Sequence, residues 1–269
     1  MKLTSFFRGT LLLVCLTACA GLVPVPTETP TPEPSQTPTA TIVWFPPTST
    51  PPPLPVQVFV PTAEPPPGMG DLLFTDAFDQ PDLWLTSVAS YASATVTRNS
   101  LVLSVNGHGP LSIVSLRSEP MVGDFYSEAS AYVSLCSAKD EYGVVFRAVS
   151  SGDYYRFAIN CNGQVRLERG RSGSISALTT WMPSGDASFG APAEARIGVW
   201  AVGSEMRFFL NGHYQFTFRD PILHAGTLGF FAYASGSAPV TVSFSDLSAY
   251  SVFYVSPTPS ATPTRTPKP

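Results

Sequence analysis

Charge is scarce in this sequence. Lysine, arginine, aspartate and glutamate supply only 13% of its 269 residues, and the net charge is −4. That balance offers no basic surface to a phosphate backbone or an anionic bilayer, so nucleic acid is not an expected partner. Histidine is rarer still. His108, His213 and His224 show neither metal-ligand spacing nor a neighbouring nucleophile, and each is expected in a turn or at the surface. The chain has no C-x-x-C, G-x-S-x-G, phosphate-binding glycine loop or H-E-x-x-H, which removes the common signatures of redox, esterase, nucleotide and zinc-protease chemistry. From Leu72 onward no stretch repeats its apolar residues at helical spacing.

Proline, in contrast, is abundant and unevenly placed. Of 28 prolines, 16 lie within residues 20–70 and 5 from Ser256 onward. Proline fixes φ and removes a backbone donor, so neither tract is expected to build sheet or helix. Residues 19–70 read as a Thr/Pro-rich linker, the apolar islands "TIVWF" and "VQVFV" included, and residues 256–269 as a tail of the same chemistry. In polyproline II the linker could reach up to about 150 Å, at ~3.1 Å per residue. Residues 71–255 remain for one domain. A chain of that size buries about 70% of its unfolded surface unaided, so a monomer is expected.

At the start, Lys2 and Arg8 precede an apolar run from Thr10 to Ala18, too short to span a bilayer as a mature helix. The run ends in Leu16-Thr17-Ala18-Cys19, which resembles the bacterial lipobox. The resemblance implies a signal peptide over residues 1–18, a diacylglyceryl group on Cys19, and a mature chain tethered to the outer face of a bacterial membrane by that lipid alone. Ordinary signal cleavage near Ala18-Cys19-Ala20 is the alternative. Of four cysteines, Cys15 lies in the leader and Cys19 in the lipobox. Cys136 and Cys161 are left as an even pair in an oxidising compartment and are expected to form a disulfide.

The middle of the chain alternates. "SLVLSV", "SIVSLR" and "FYSEASAYVSLC" place apolar and polar residues in turn, as half-buried strands do. "YGVVFRAVSSGDYYRFAINCNGQVRLERG" reads as three antiparallel strands, and "EMRFFLNGHYQFTF" as a hairpin around Asn211-Gly212. A dozen short strands with one-sided apolar faces predict an all-β fold, a two-sheet antiparallel sandwich of jelly-roll type. The ordered set "LLFTDAFDQPDLW", "YGVVFRAVSSGDYYRFAINCNGQVRLERG", "TTWMP", "MRFFLNGHYQFTF" and "AGTLGFFAYA" resembles the concanavalin A-like lectin/glucanase superfamily, and within it the LamG-like and 3-keto-disaccharide hydrolase-like domains. That fold carries lectins, hydrolases and adhesion modules, so the resemblance implies architecture more firmly than activity.

Laminarinase-like relatives carry E-x-D-x-x-E on one strand, which sends its acids to one face. Here the nearest candidate, Glu128, has Ser130 and Val133 in the other two places, so no catalytic residue is assigned. Asp153 and Glu168 read as turn and surface charges. Arg166, Arg169 and Arg171 read as a solvated hairpin edge. Calcium is common in LamG-like sandwiches, and Asp76, Asp79 and Asp82 lie close in sequence without forming a recognised loop, so no cofactor is assigned.

Alternation does supply a ligand-binding candidate. Tyr155, Phe157 and Ile159 point to the core, while Tyr154, Arg156 and Asn160 point outward, with Arg147 and Glu168 able to join them from neighbouring strands. Trp84 and Trp181 are candidate stacking platforms. Trp200 alternates with Arg196 and is expected on an exposed face. The sequence thus predicts a non-catalytic module binding polysaccharide or a cell-envelope glycan. A glycoside hydrolase of the 3-keto-disaccharide type and an adhesion head for protein partners are the alternatives.

Overall fold

The computed structural model describes residues 66–106, 109–236 and 238–253. Expectations that rest on residues 1–65, on His108 or on residues 254–269 concern positions outside the described residues. These include the Cys19 lipobox, most of the first Thr/Pro tract and all of the second. Among the described residues there are sixteen strands: β1 (Met69–Asp76), β2 (Ser87–Val88), β3 (Ala92–Thr97), β4 (Ser100–Val105), β5 (Leu111–Leu116), β6 (Phe125–Leu135), β7 (Glu141–Ser150), β8 (Asp153–Asn160), β9 (Gln164–Arg171), β10 (Ser174–Ala177), β11 (Met182–Pro183), β12 (Ala193–Val202), β13 (Glu205–Leu210), β14 (His213–Arg219), β15 (Thr227–Ala234) and β16 (Val240–Val252). The one helical element among them is a single 3₁₀ turn, Pro81–Leu83.

The strands form two antiparallel sheets. The larger runs β14-β13-β12-β6-β16-β4-β3-β2, with β1 also on β16. The smaller runs β10-β9-β8-β7-β15-β5, with β11 on β9. This is the jelly-roll sandwich that the alternation predicted. The Asn211-Gly212 hairpin has positive φ at both central residues, +53° and +81°, as a type I′ turn requires.

The space between the sheets is filled largely by aromatic rings. Phe230 of the smaller sheet stacks on Phe244 of the larger at 4.2 Å, and Phe157 meets Phe208 at 4.8 Å. Each such ring contributes about 1.5–3 kcal/mol by burial. Trp84 belongs to this core, against Phe78 and Phe230 at 5.0 and 5.6 Å, so it is not a platform.

Two cross-links hold the sheets at opposite ends. Cys136, just after β6, is bonded to Cys161, just after β8, with Cα atoms 6.1 Å apart, as the cysteine count predicted. At the other end stands Arg147, and here the sequence reading needs correction. A bulge in β7 gives Arg147 a φ of +48° and breaks the register with both neighbouring strands. The alternation is reset, and the side chain is fully buried rather than on the outer face. Its guanidinium donates to the carbonyls of Gly203 (2.7 Å), Leu223 (3.1 Å) and Gly123 (3.3 Å), tying loops of both sheets together.

The chain enters and leaves side by side. Met69 of β1 lies opposite Val252 of β16, and the Phe253 amide donates to the Gly68 carbonyl at 2.9 Å. The entering segment also reaches the outer face of the larger sheet. Trp200, expected on an exposed face, is completely buried there and donates its indole N–H to the Pro67 carbonyl at 2.9 Å.

Candidate functional site

The outer face of the smaller sheet can be built from its register. Glu141 of β7 lies opposite Asn160 of β8 and Tyr233 of β15; Gly143 lies opposite Ala158 and Phe231; Val145 lies opposite Arg156 and Gly229. Across to β9, Arg156 pairs with Glu168 and Ala158 with Arg166. Side chains two apart share a face, so these residues form one outward grid. Its middle is small. A Cβ on Gly143 would sit 2.0 Å from the Phe157 carbonyl oxygen and 3.2 Å from the Phe231 ring. Long side chains from the surrounding positions therefore converge over that low centre. The Arg156 guanidinium lies over Phe231 at 4.3 Å, and the Arg166 guanidinium lies against Trp181 at 4.2 Å.

Two arginines and two glutamates meet there. Arg156 Nε bonds one oxygen of Glu168, and Arg166 Nη2 contacts the other. Arg166 Nη2 also donates to Glu141 at 3.2 Å, and Arg156 Nη2 lies 3.5 Å from the second Glu141 oxygen. Burial pushes the Glu141 carboxyl up, repulsion from Glu168 adds to it, and the two arginines only partly oppose them, leaving its pKa at about 7. The pairing is incomplete. Glu141 Oε2, Arg156 Nη1 and Arg166 Nε are buried without a hydrogen-bond partner. A buried polar atom left in that state costs about 1–3 kcal/mol, so three in one cluster point to groups that water or a ligand would satisfy.

The sequence reading put Tyr154, Arg156, Asn160 and Glu168 on this face, and the structure does bring them there. It differs on exposure, since all four are buried and not a solvated surface. Asn160 is tied to the hairpin turn: its side-chain oxygen accepts the Asn162 and Gln164 amides at 3.0 Å. Trp181 is half-buried and packs on this face. Arg166 belongs to the cluster and Arg169 pairs with Asp220, so of the three arginines read as a solvated edge only Arg171 is exposed. Glu141 was missed. Its partner Glu168 lies two strands away, and only the β7-β8-β9 order joins them. Asp153 does not meet Glu168; it accepts from Ser150 Oγ and the Ser172 amide, which lowers its pKa and caps the turn.

The face continues toward β5 into a hollow of about 520 Å³. Trp84, Leu85, Leu116, Met121, Val149 and Thr227 are among the residues lining it. Behind two of its lining residues, Trp84 and Arg117, buried Asp76 receives the Phe78 amide (2.7 Å), the Trp84 indole (3.2 Å) and Arg117 Nε (2.7 Å). Both Asp76 oxygens are thereby used, while Asp79 and Asp82 are exposed. Among the described residues no group of three or more His, Cys, Asp or Glu side chains could hold a metal ion.

Glu128, the nearest match to a catalytic strand acid, lies on the outer face of the larger sheet. Burial raises its carboxyl, but hydrogen bonds from Arg196 (2.5 Å) and Tyr126 (3.0 Å) prevail and hold it below the usual range. His213 bonds Asp186 at 2.6 Å at the edge of that sheet, and His224 is exposed in a loop.

No known protein-family profile matches the chain, and no curated protein matches it. Solved structures do. The carbohydrate binding module CBM66 from Bacillus subtilis is 15% identical, with a TM-score of 0.51 over 63% of this chain and 96% of that one. A protein of unknown function with a galectin-like fold, also from Bacillus subtilis, is 14% identical, with a TM-score of 0.49 over 68% and 96%. The catalytic domain of an endo-1,3-beta-glucanase (laminarinase) from Thermotoga petrophila is 10% identical, with a TM-score of 0.48 over 68% and 98%. At such identities the likeness is one of fold: this chain carries a jelly-roll sandwich of the kind found in that carbohydrate-binding module.

Proposed function

We propose that the chain is an exported module, anchored by a lipid on Cys19, that binds polysaccharide or glycoconjugate without cleaving it. One observation carries the binding part of this reading: three buried polar atoms without a hydrogen-bond partner, gathered beside Trp181 on a sheet face. A sugar needs an aromatic surface for its C–H groups and fixed polar atoms for its hydroxyls; half-buried Trp181 supplies the first on this face, and the arginine–glutamate cluster the second. The fold likeness to a carbohydrate-binding module supports the same reading. The lipobox residues Leu16-Thr17-Ala18-Cys19 and the Thr/Pro tract support export and tethering. Calorimetry of the full chain against β-glucans and peptidoglycan fragments, preceded by a glycan array, tests the proposal. Selective saturable binding to one glycan class is expected, and a flat response across a broad panel overturns it.

A second reading draws on Glu141 and Glu168, a carboxylate pair in which one member holds a proton near neutrality. A glycoside hydrolase would use such a pair as acid and nucleophile. Against it, both oxygens of Glu168 are already engaged by arginines. Turnover of 3-keto-disaccharides that disappears in Glu141→Gln would establish the hydrolase; no turnover at high enzyme concentration removes it.

A further inference from the structure

The chemistry of the partnerless atoms narrows the ligand class, on the premise that this face binds carbohydrate. Arg156 Nη1 and Arg166 Nε can only donate. Glu141 Oε2, when ionised, can only accept. A ligand that completes the cluster must therefore present an acceptor to the arginines and a donor to Glu141 within one small space. A hydroxyl does both, and neighbouring hydroxyls on a sugar ring do so in pairs. A carboxylate or sulfate satisfies the arginines alone and offers nothing to Glu141.

Charge points the same way. The two guanidinium groups are balanced by two glutamates, so the cluster has no surplus positive charge for an anion while both acids are ionised. Glu141 is faced by Arg156 and Asn160 on β8, by Arg166 and Glu168 on β9 and by Tyr233 on β15, with Asp140 preceding it on the chain. Asp140 is itself occupied, accepting from the Ser137 amide and from the Ser235 amide and hydroxyl. No further cation from these elements is placed to offset Glu141. We infer that the site selects uncharged sugars, gripped through adjacent hydroxyls between Glu141 and the two arginines, and discriminates against acidic sugars through the charge on Glu141.

The discrimination is adjustable. Protonating Glu141 turns its oxygen into a donor and leaves the cluster with a net positive charge. Its pKa of about 7 puts that change within a mild pH range. Acidic sugars should then be tolerated below neutrality and rejected above it.

The test uses the full chain and a matched pair of ligands: a neutral oligosaccharide retained on the array, and the same oligosaccharide with its C6 hydroxyls oxidised to carboxylates. Calorimetry is run at pH 8 and pH 6, where the sugar carboxylate stays ionised, with circular dichroism confirming the fold at both. The neutral ligand should bind at least tenfold more tightly at pH 8, and the ratio should shrink at least threefold at pH 6. Glu141→Gln should show the smaller ratio already at pH 8. Equal or tighter binding of the oxidised ligand at pH 8, or a ratio that neither pH nor the substitution moves, overturns the inference. If neither member of any matched pair binds, the carbohydrate reading itself falls, and that outcome is distinct from a loss of charge preference.

Discussion

Two buried arginine–carboxylate sets lie within one sandwich, and they differ in how completely they are paired. Around Asp76 both carboxylate oxygens are used, by a backbone amide, an indole and Arg117, and none of its atoms is left buried and partnerless. Around Glu141 and Glu168 four charges meet, yet two donors and one acceptor remain unmatched. The first set locks the start of the domain onto its core through Trp84. The second leaves valences open beside an aromatic surface. A buried charge alone says little about function; these two sets differ in the unmatched remainder.

The comparison can be broken most forcefully at Asp76. Asp76→Ala strands Arg117 and the Trp84 indole without their acceptor and should cost about 3–5 kcal/mol, read as a loss in denaturant midpoint. A loss under about 1 kcal/mol would show that this set is no lock. Replacing Cys136 and Cys161 together by serine should cost about 3 kcal/mol for a closed loop of 25 residues, seen in the same melt.

Glu141 gives a sharper contrast because its sign depends on pH. Its carboxyl holds a proton more tightly folded than unfolded, so its contribution is fully present below about pH 4.5 and is lost as pH rises through about 7. Wild-type stability should therefore fall by on the order of 2–3 kcal/mol across that window. Glu141→Gln should flatten the curve, and an unchanged slope would detach the effect from this residue. The smallest effect is expected at Trp181. Trp181→Ala removes the ring beside Arg166 and should destabilise the fold by only about 1 kcal/mol, while weakening glycan binding about tenfold in calorimetry.

Much of the architecture could be read in advance, and the reasons are local. Alternation in "YYRFAIN" placed Tyr155, Phe157 and Ile159 inward, and Asn211-Gly212 marked its turn, because side-chain parity and turn dihedrals depend on a few neighbouring residues. The candidate site was half legible for the same reason. Arg156 and Glu168 emerged from strand parity. Glu141 did not, since its meaning arises from a strand two places away in the sheet. Arg147 was misplaced by a bulge that its own sequence does not announce. Trp200 was misjudged because Tyr126, Phe209, Val252 and Arg207 pack around it on the outer face and the Pro67 carbonyl accepts its indole N–H, in a stretch whose composition reads as spacer.

The pairing of Met69 with Val252 sets how this domain would answer a mechanical pull. Because the start of β1 and the end of β16 lie at the same corner, tension between them peels β1 away from β16 one bond at a time instead of shearing the whole ladder at once. The Pro67 carbonyl that seals Trp200 sits at the start of that tear. Under load the first residues of β1 would open as a small flap, while the disulfide-linked end bearing Cys136 and Cys161 stayed out of the line of force.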